Sequence, residues 1–231
     1  MNTSIKIDIV SDVACPWCYV GKKRLEQALS KWEGTPVTTE WHPFQLDPSM
    51  PAEGKTRDEY LTSKFGNSDR VEQMTQTLVN AGEDLDIAFD FGKKWLAVNT
   101  LPLHQLLEIA GQECFKDELK ERFFKAYFVD LDPLNDMDIL FSIMADYGWS
   151  PEKVSQVIND PSIGKAVQNK IEHFKKLGVT GVPFFVINNK YGISGAQPPK
   201  VFLETLEKIS QEQNDLIIQE GDSCDIDDPN C

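Results

Sequence analysis

Two cysteines three positions apart, in Cys15-Pro16-Trp17-Cys18, are the residues whose type and spacing speak first of chemistry. The thiolate is the species that attacks a disulfide or binds a soft metal, so such a pair belongs either to redox exchange or to half of a zinc site. A zinc ribbon brings a second C-x-x-C or a His pair at matched spacing, and this chain has neither, which leaves redox chemistry ahead of a metal clip or a chance pairing. Pro16 suits a first helical turn because it has no N–H to leave unpaired. A sulfur at that helix end is favoured as an anion by the free N–H groups and the helix dipole. Cys15 is therefore the expected attacker, and Cys18, one turn further in, the thiol that resolves the mixed disulfide. Trp17 sets a large apolar ring inside the dithiol loop, where it either meets a substrate or fills space.

The elements that must hold this pair follow from periodicity. Ile5, Ile7 and Ile9 alternate with Lys6 and Asp8 as in a strand. Cys18, Leu25, Ala28, Leu29 and Trp32 then share one helical face, with Lys22, Lys23 and Arg24 read as lying off it. Gly34-Thr35-Pro36 ends that helix, and Val37, Thr39 and Trp41 alternate again. From about residue 49 to 165 the pattern is helical, with stripes at Leu103, Leu106, Leu107, Ala110 and Cys114, and at Phe123, Ala126 and Tyr127. Strand character returns at 182–187, with an Asn188-Asn189 turn and a partner at 191–193, before a helix from Pro199 to about Ile209. The expected architecture is α/β: a thioredoxin fold with an inserted all-helical domain. Its parts are a β-α-β half over 1–48, the helical insertion over 49–165, a β-β-α half over 166–213, and an acidic tail over 214–231.

Composition restricts the partners. A chain of 231 residues with 41% hydrophobic content forms a real core, and a formal charge of −14 excludes the basic footprint that nucleic acid or anionic lipid requires. No apolar run reaches the roughly 18 residues of a membrane span, and the first ten residues read as a strand, not a basic leader. Five cysteines, two of them in C-x-x-C and two in the last eight residues, do not make a secreted disulfide scaffold. A cytoplasmic location is expected, with protein or small disulfide and thiol substrates, and with no nucleic acid and no membrane as partners.

Five ordered motifs lie beside the dithiol. Ser11-Asp12 precedes Cys15-Pro16-Trp17-Cys18-Tyr19, and Pro43-Phe44-Gln45-Leu46, Ala126-Tyr127-Phe128, Gly181-Val182-Pro183-Phe184-Phe185 and Gly195-Ala196-Gln197 follow. Over about residues 5–210 the chain resembles the DsbA-like thioredoxin family and, within it, cytoplasmic FrnE-like oxidoreductases. The resemblance implies a cis Val182–Pro183 bond facing the dithiol, with the Val182 backbone pairing an extended substrate, although general statistics alone would leave Pro183 trans. It also implies that Asn99 and His104 face the active site; the plainer reading of both is a satisfied structural polar group. The same superfamily holds glutathione-dependent 2-hydroxychromene-2-carboxylate isomerases and kappa-class glutathione transferases, which typically carry Ser where this chain has Cys15.

Several residues keep two readings. Asp12 is either a turn former or a carboxylate that assists proton transfer at the dithiol. Cys114 is expected to be a buried, inert core thiol, and His42 and His173 receive no chemistry. Cys224 and Cys231 stand in a tail where seven acidic residues follow Ile209 with no Lys or Arg. They are read as a second redox pair or guard, with incidental thiols and a zinc clip using Asp225 or Asp227 as alternatives; otherwise no metal is expected. The leading function is disulfide reduction, isomerisation or formation through a mixed disulfide. It needs no cofactor beyond the redox-active disulfide, with glutathione as a conceivable co-substrate. The alternatives are a glutathione-dependent isomerase or transferase and a non-catalytic adaptor with a redox-sensing dithiol. Trp17 lends no positive charge to the thiolate, so the potential is expected nearer thioredoxin's value of about −270 mV than DsbA's of about −120 mV.

Overall fold

Ile5, Ile7 and Ile9 are wholly or almost wholly shielded from solvent, and the sheet is built around the strand that carries them. The computed structural model describes residues 4–66, 68–92 and 94–221. Strand β1 (Ile5–Ser11) pairs in parallel with β2 (Val37–Pro43), from Ile5 opposite Val37 to Ser11 opposite Pro43. On its other side β1 pairs antiparallel with β5 (Phe184–Ile187), which forms a hairpin with β6 (Tyr191–Ser194). The order is therefore β2-β1-β5-β6. Asn188 and Asn189, with φ of 49° and 52°, supply the two left-handed residues that a tight hairpin turn needs.

The alternation in β1 divides the layers. Ile5, Ile7 and Ile9 face a core shared with Leu25 and Ala28 of α1 (Pro16–Leu29) and Phe202 and Leu206 of α9 (Pro199–Gly221). Val10 faces the opposite layer, with Phe44, Phe174 and Val179, where α8 (Pro161–Lys176) packs. Each such side chain, once buried, contributes about 1.5–3 kcal/mol. This is a thioredoxin-type sheet with helices on both faces.

Between β2 and β5 lies the helical insert: α2 (Arg57–Phe65), α3 (Ser68–Glu83), α4 (Leu101–Gln112), α5 (Lys116–Lys125), α6 (Met137–Ala145) and α7 (Pro151–Asn159). It also contains a ribbon of β3 (Lys55–Thr56) and β4 (Leu96–Ala97), which periodicity could not register because each strand has two residues. A π-helical turn, Ala126–Asp130, follows α5 and ends at Leu131 in the left-handed region. Residue 165, where the pattern ends the insertion, falls inside α8, and α9 continues past 213 to Gly221. Cys224 and Cys231 lie outside the described residues.

Two expectations are corrected. Cys114 is exposed, not buried. Helix α4 stops at Gln112, the Phe115 N–H bonds the Ala110 carbonyl at 3.1 Å, and Cys114 turns to φ 66°, which swings its thiol off the stripe. Lys22 is buried although it was read as lying off the apolar face. It sits four residues after Cys18 and three before Leu25, so it shares their stripe, and its ammonium is met by Glu26, by Asp117 at 3.2 Å and by Glu121 at 3.2 Å.

Candidate active site

Strand β1 ends at Ser11, and the chain turns through Asp12 into α1, with the Cys15 N–H donating to the Asp12 carbonyl at 3.2 Å. Cys15 is the extended N-cap residue, at φ −103° and ψ 108°, with Pro16 at the first helical position. Both cysteines are reduced and buried, Cys15 at 4% exposure and Cys18 at 1%. They join the core of the insert together with Tyr19, Phe123, Phe124 and Phe128, and not the core of the sheet. The dithiol thus sits where the sheet half meets the helical insert.

The Val182–Pro183 bond is cis, and the Cys15 Sγ–H donates to the Val182 carbonyl at 3.5 Å. Trp17 and Val182 are half-buried and Pro183 is buried. Close approach of α1 to Pro183 and Phe185 depends on Gly21. A Cβ there would lie 3.0 Å from Pro183 Cγ and 3.2 Å from Phe185 Cζ, inside ordinary contact distance. Gly21→Val is therefore expected to lower unfolding stability by about 1–3 kcal/mol through overpacking. Urea denaturation measures the change, and a wild-type midpoint would show that the contact gives way freely.

Asp12 is 1% exposed, and its carboxylate is fully engaged. It accepts from the Leu46 N–H at 2.8 Å and the Ala14 N–H at 3.4 Å, and lies 3.2 Å from His104 Nε2. Its burial alone would raise its pKa, but the His104 contact, the Leu46 N–H and the charge of Lys120 hold it below the usual carboxylate range. Burial, opposed by Asp12, pushes His104 below the ordinary imidazole value. Near neutrality the arrangement is a carboxylate bonded to a neutral imidazole that donates Nε2–H. Asp12 thus takes the turn-forming role, and it stands as a fixed negative charge near the dithiol.

That charge bears on Cys15. The Cys18 thiol beside it, burial and the Asp12 carboxylate push the Cys15 thiol well above its ordinary range. This corrects the expectation of a lowered value, since these effects outweigh the backbone N–H of Cys18 that favours the anion. Asn99 turns its side chain to structure: its Nδ2 donates to the Met50 carbonyl at 2.8 Å, and its Oδ1 accepts from the Leu101 N–H at 3.0 Å. His42 is not isolated in space, because its Nε2 lies 2.7 Å from Asp8 Oδ1 beside Glu40. Lys6 Nζ already stands 3.0 Å from Asp8 and 2.6 Å from Glu40, which closes that cluster.

Sequence reasoning missed Lys120. Its side chain is 1% exposed, with Nζ 5.0 Å from the Phe124 ring centre and 5.6 Å from that of Trp41. A signal was present: positions 120, 123 and 127 share one helical stripe, so Lys120 belongs with Phe123 and Tyr127.

The DSBA-like thioredoxin domain family matches residues 6–207. A probable DsbA oxidoreductase from Streptomyces coelicolor is 32% identical and superposes with a TM-score of 0.83, over 88% of this chain and 89% of that one. The uncharacterized protein YwbO of Bacillus subtilis (strain 168) is 26% identical over 212 residues, 91% of this chain and 98% of that protein. The cytosolic disulfide reductase DsbM of Pseudomonas aeruginosa, solved with GSH, shares the fold with a TM-score of 0.59 at 18% identity, over 88% of this chain and 99% of that one.

Proposed function

Because this chain belongs to the DSBA-like thioredoxin domain family, we propose that it is a cytoplasmic, FrnE-like thiol–disulfide oxidoreductase that reduces or isomerises protein disulfides through Cys15 and Cys18. The observation that carries this reading is the Cys15 sulfur at the start of α1, 3.5 Å from the Val182 carbonyl, with Cys18 one turn further in. An extended client segment pairs with the Val182 backbone, and a client N–H on that carbonyl competes with the Cys15 S–H and frees the thiol. The Cys15 thiolate attacks one client sulfur, and the other leaves as a thiolate. Cys18 then attacks Cys15 Sγ and releases the reduced client, so two electrons pass from the dithiol to the client.

The direction follows from the setting of Cys15. A strong oxidant stabilises its reduced form as a thiolate, whereas here the Cys18 thiol, burial and Asp12 oppose that anion and favour the disulfide form of the enzyme. The pair is thereby suited to giving electrons. No helix among the described residues is long and apolar enough to cross a membrane, which is compatible with work in the cytoplasm. The test is insulin reduction with dithiothreitol, together with equilibration of the dithiol against a glutathione buffer. Faster insulin precipitation and a potential nearer thioredoxin's are expected. A DsbA-like potential would overturn the direction, and no catalysis of exchange at all would overturn the reading.

A further inference from the structure

The chain carries 37 acidic side chains against 23 Lys and Arg, so a guanidinium that meets no carboxylate needs a reason. Arg57 pairs with Asp58, and Arg122 with Asp130 and Asp132. Arg24 has no carboxylate within ion-pair distance among the described residues. It is half-buried, and its Nη1 donates instead to the Ala196 carbonyl at 2.6 Å, across 172 positions of sequence. A charged donor on a carbonyl is stronger than a bond between neutral groups.

From this contact a chain of others leads to the dithiol. The Gly195 N–H donates to the Pro183 carbonyl at 2.9 Å, and Ala196 packs against the apolar cluster that holds Cys15 and Cys18. Gly195 stands at φ 76°, where a side chain would be strained. Trp17, Gly21 and Arg24 recur at i, i+4 and i+7, so one face of α1 carries all three. Gly21 lies against Pro183, Arg24 holds Ala196, and Cys15 at the start of the same helix reaches the Val182 carbonyl at 3.5 Å. One helix therefore fixes both the attacking sulfur and the loop that faces it.

That loop has few bonds of its own. At one end the Val179 N–H donates to the Phe174 carbonyl at 3.0 Å, and at the other the Pro183 carbonyl accepts from Gly195. Between them Thr180, Gly181 and Val182 make no backbone–backbone hydrogen bond among the described residues. The Val182 side chain packs on the cluster of Val10, Phe44, Phe174 and Val179, but apolar contact is non-directional and does not set where a carbonyl points. Resting on the reading of the Val182 backbone as the partner of an extended client, we propose that Arg24 is a positioning residue for peptide clients. By clamping Ala196 it keeps Gly195 on the Pro183 carbonyl, and so keeps the Val182 N–H and C=O aligned for pairing. The substrate class it serves is a disulfide carried on a peptide backbone. A disulfide without amide groups makes no such pairing and gains little from the clamp.

Two measurements on the full chain decide it. The first compares kcat/KM for a disulfide-bonded peptide with that for 2-hydroxyethyl disulfide, with dithiothreitol as electron donor. In Arg24→Met the ratio of the two is expected to fall about 10-fold, the scale of one hydrogen bond lost in binding, through KM for the peptide and not through kcat. Arg24→Lys still brings a charged donor to Ala196 and is expected to recover most of the ratio. The second is amide hydrogen exchange by NMR, where Arg24→Met is expected to quicken exchange at Gly195 and to leave Ile9 in β1 as in the wild type. The proposal is overturned by a wild-type ratio in Arg24→Met, by an equal loss in Arg24→Lys, or by Gly195 exchange that stays at the wild-type rate or quickens only together with Ile9. A wild type with equal kcat/KM for both disulfides would instead count against pairing at Val182, and one that exchanges with neither would count against the oxidoreductase reading. Gly195 exchange still decides the clamp in both cases.

Discussion

Cys15→Ser is expected to cut disulfide exchange by at least about 10³-fold, as removal of an attacking nucleophile does. Cys18→Ser is expected to lose turnover but to accumulate covalent mixed disulfides with clients. The asymmetry follows from position. Cys15 is the N-cap of α1, at the Val182 carbonyl and the edge of the buried cluster, whereas Cys18 lies one turn deeper at 1% exposure. A client disulfide bond reaches the first sulfur before the second. Non-reducing electrophoresis and mass spectrometry after incubation with a disulfide-bonded peptide measure both effects, and equal trapping by the two variants would reverse the order of attack. Because Cys15 is held above the ordinary thiol range, the wild-type attack rate is expected to keep rising with pH beyond about 8.5.

The second large effect belongs to Asp12. Asp12→Ala removes the acceptor of the half-buried Leu46 N–H at 2.8 Å and the partner of the buried His104, leaving both groups unmatched. A loss of about 2–4 kcal/mol of unfolding free energy is expected, in the range for breaking one side of a buried charged contact. Asp12→Asn keeps an acceptor oxygen and should cost less. In both variants Cys15 loses one of the charges that opposes its ionisation, so its thiolate is expected to appear at lower pH than in the wild type, as read by absorbance near 240 nm. The stability effect depends on pH. The folded Asp12 pKa lies below its unfolded value near 3.8, so the carboxylate's contribution is complete above that value and disappears as pH falls through the folded one. Wild type and Asp12→Asn should therefore converge in stability in strong acid. A gap that stays constant down to that range would mean that Asp12 acts by shape alone.

Much of this was legible in the residues. The alternation of Ile5, Ile7 and Ile9, the turn at Asn188-Asn189 and the proline after Cys15 each reflect a local rule, and each element appears where that rule puts it. What was hidden depends on contacts distant in sequence. His104 reaches Asp12 across 92 positions, and nothing near either residue announces the pair. Lys22 was misread and Lys120 passed over for another reason: side-chain type was given more weight than helical spacing, although each sits on an apolar stripe. Cys114 failed in the opposite sense, because the stripe was extended one step past a helix end that only the turn geometry defines.

The placement of the Val182 carbonyl also has a consequence during synthesis. Cys15 and the residue that covers it are 167 positions apart, so at about 5–20 residues per second the ribosome leaves the dithiol uncovered for about 10–30 s. In that interval β1 has β2 for a neighbour but lacks β5, and the thiol of Cys114 emerges before the covering loop does. The nascent chain therefore passes through a stage in which three thiols are present on an incomplete sheet, free to pair wrongly with one another. Reducing conditions around the ribosome, or early binding of the nascent segment by a chaperone, would protect this protein more than one whose redox centre is finished by neighbouring sequence.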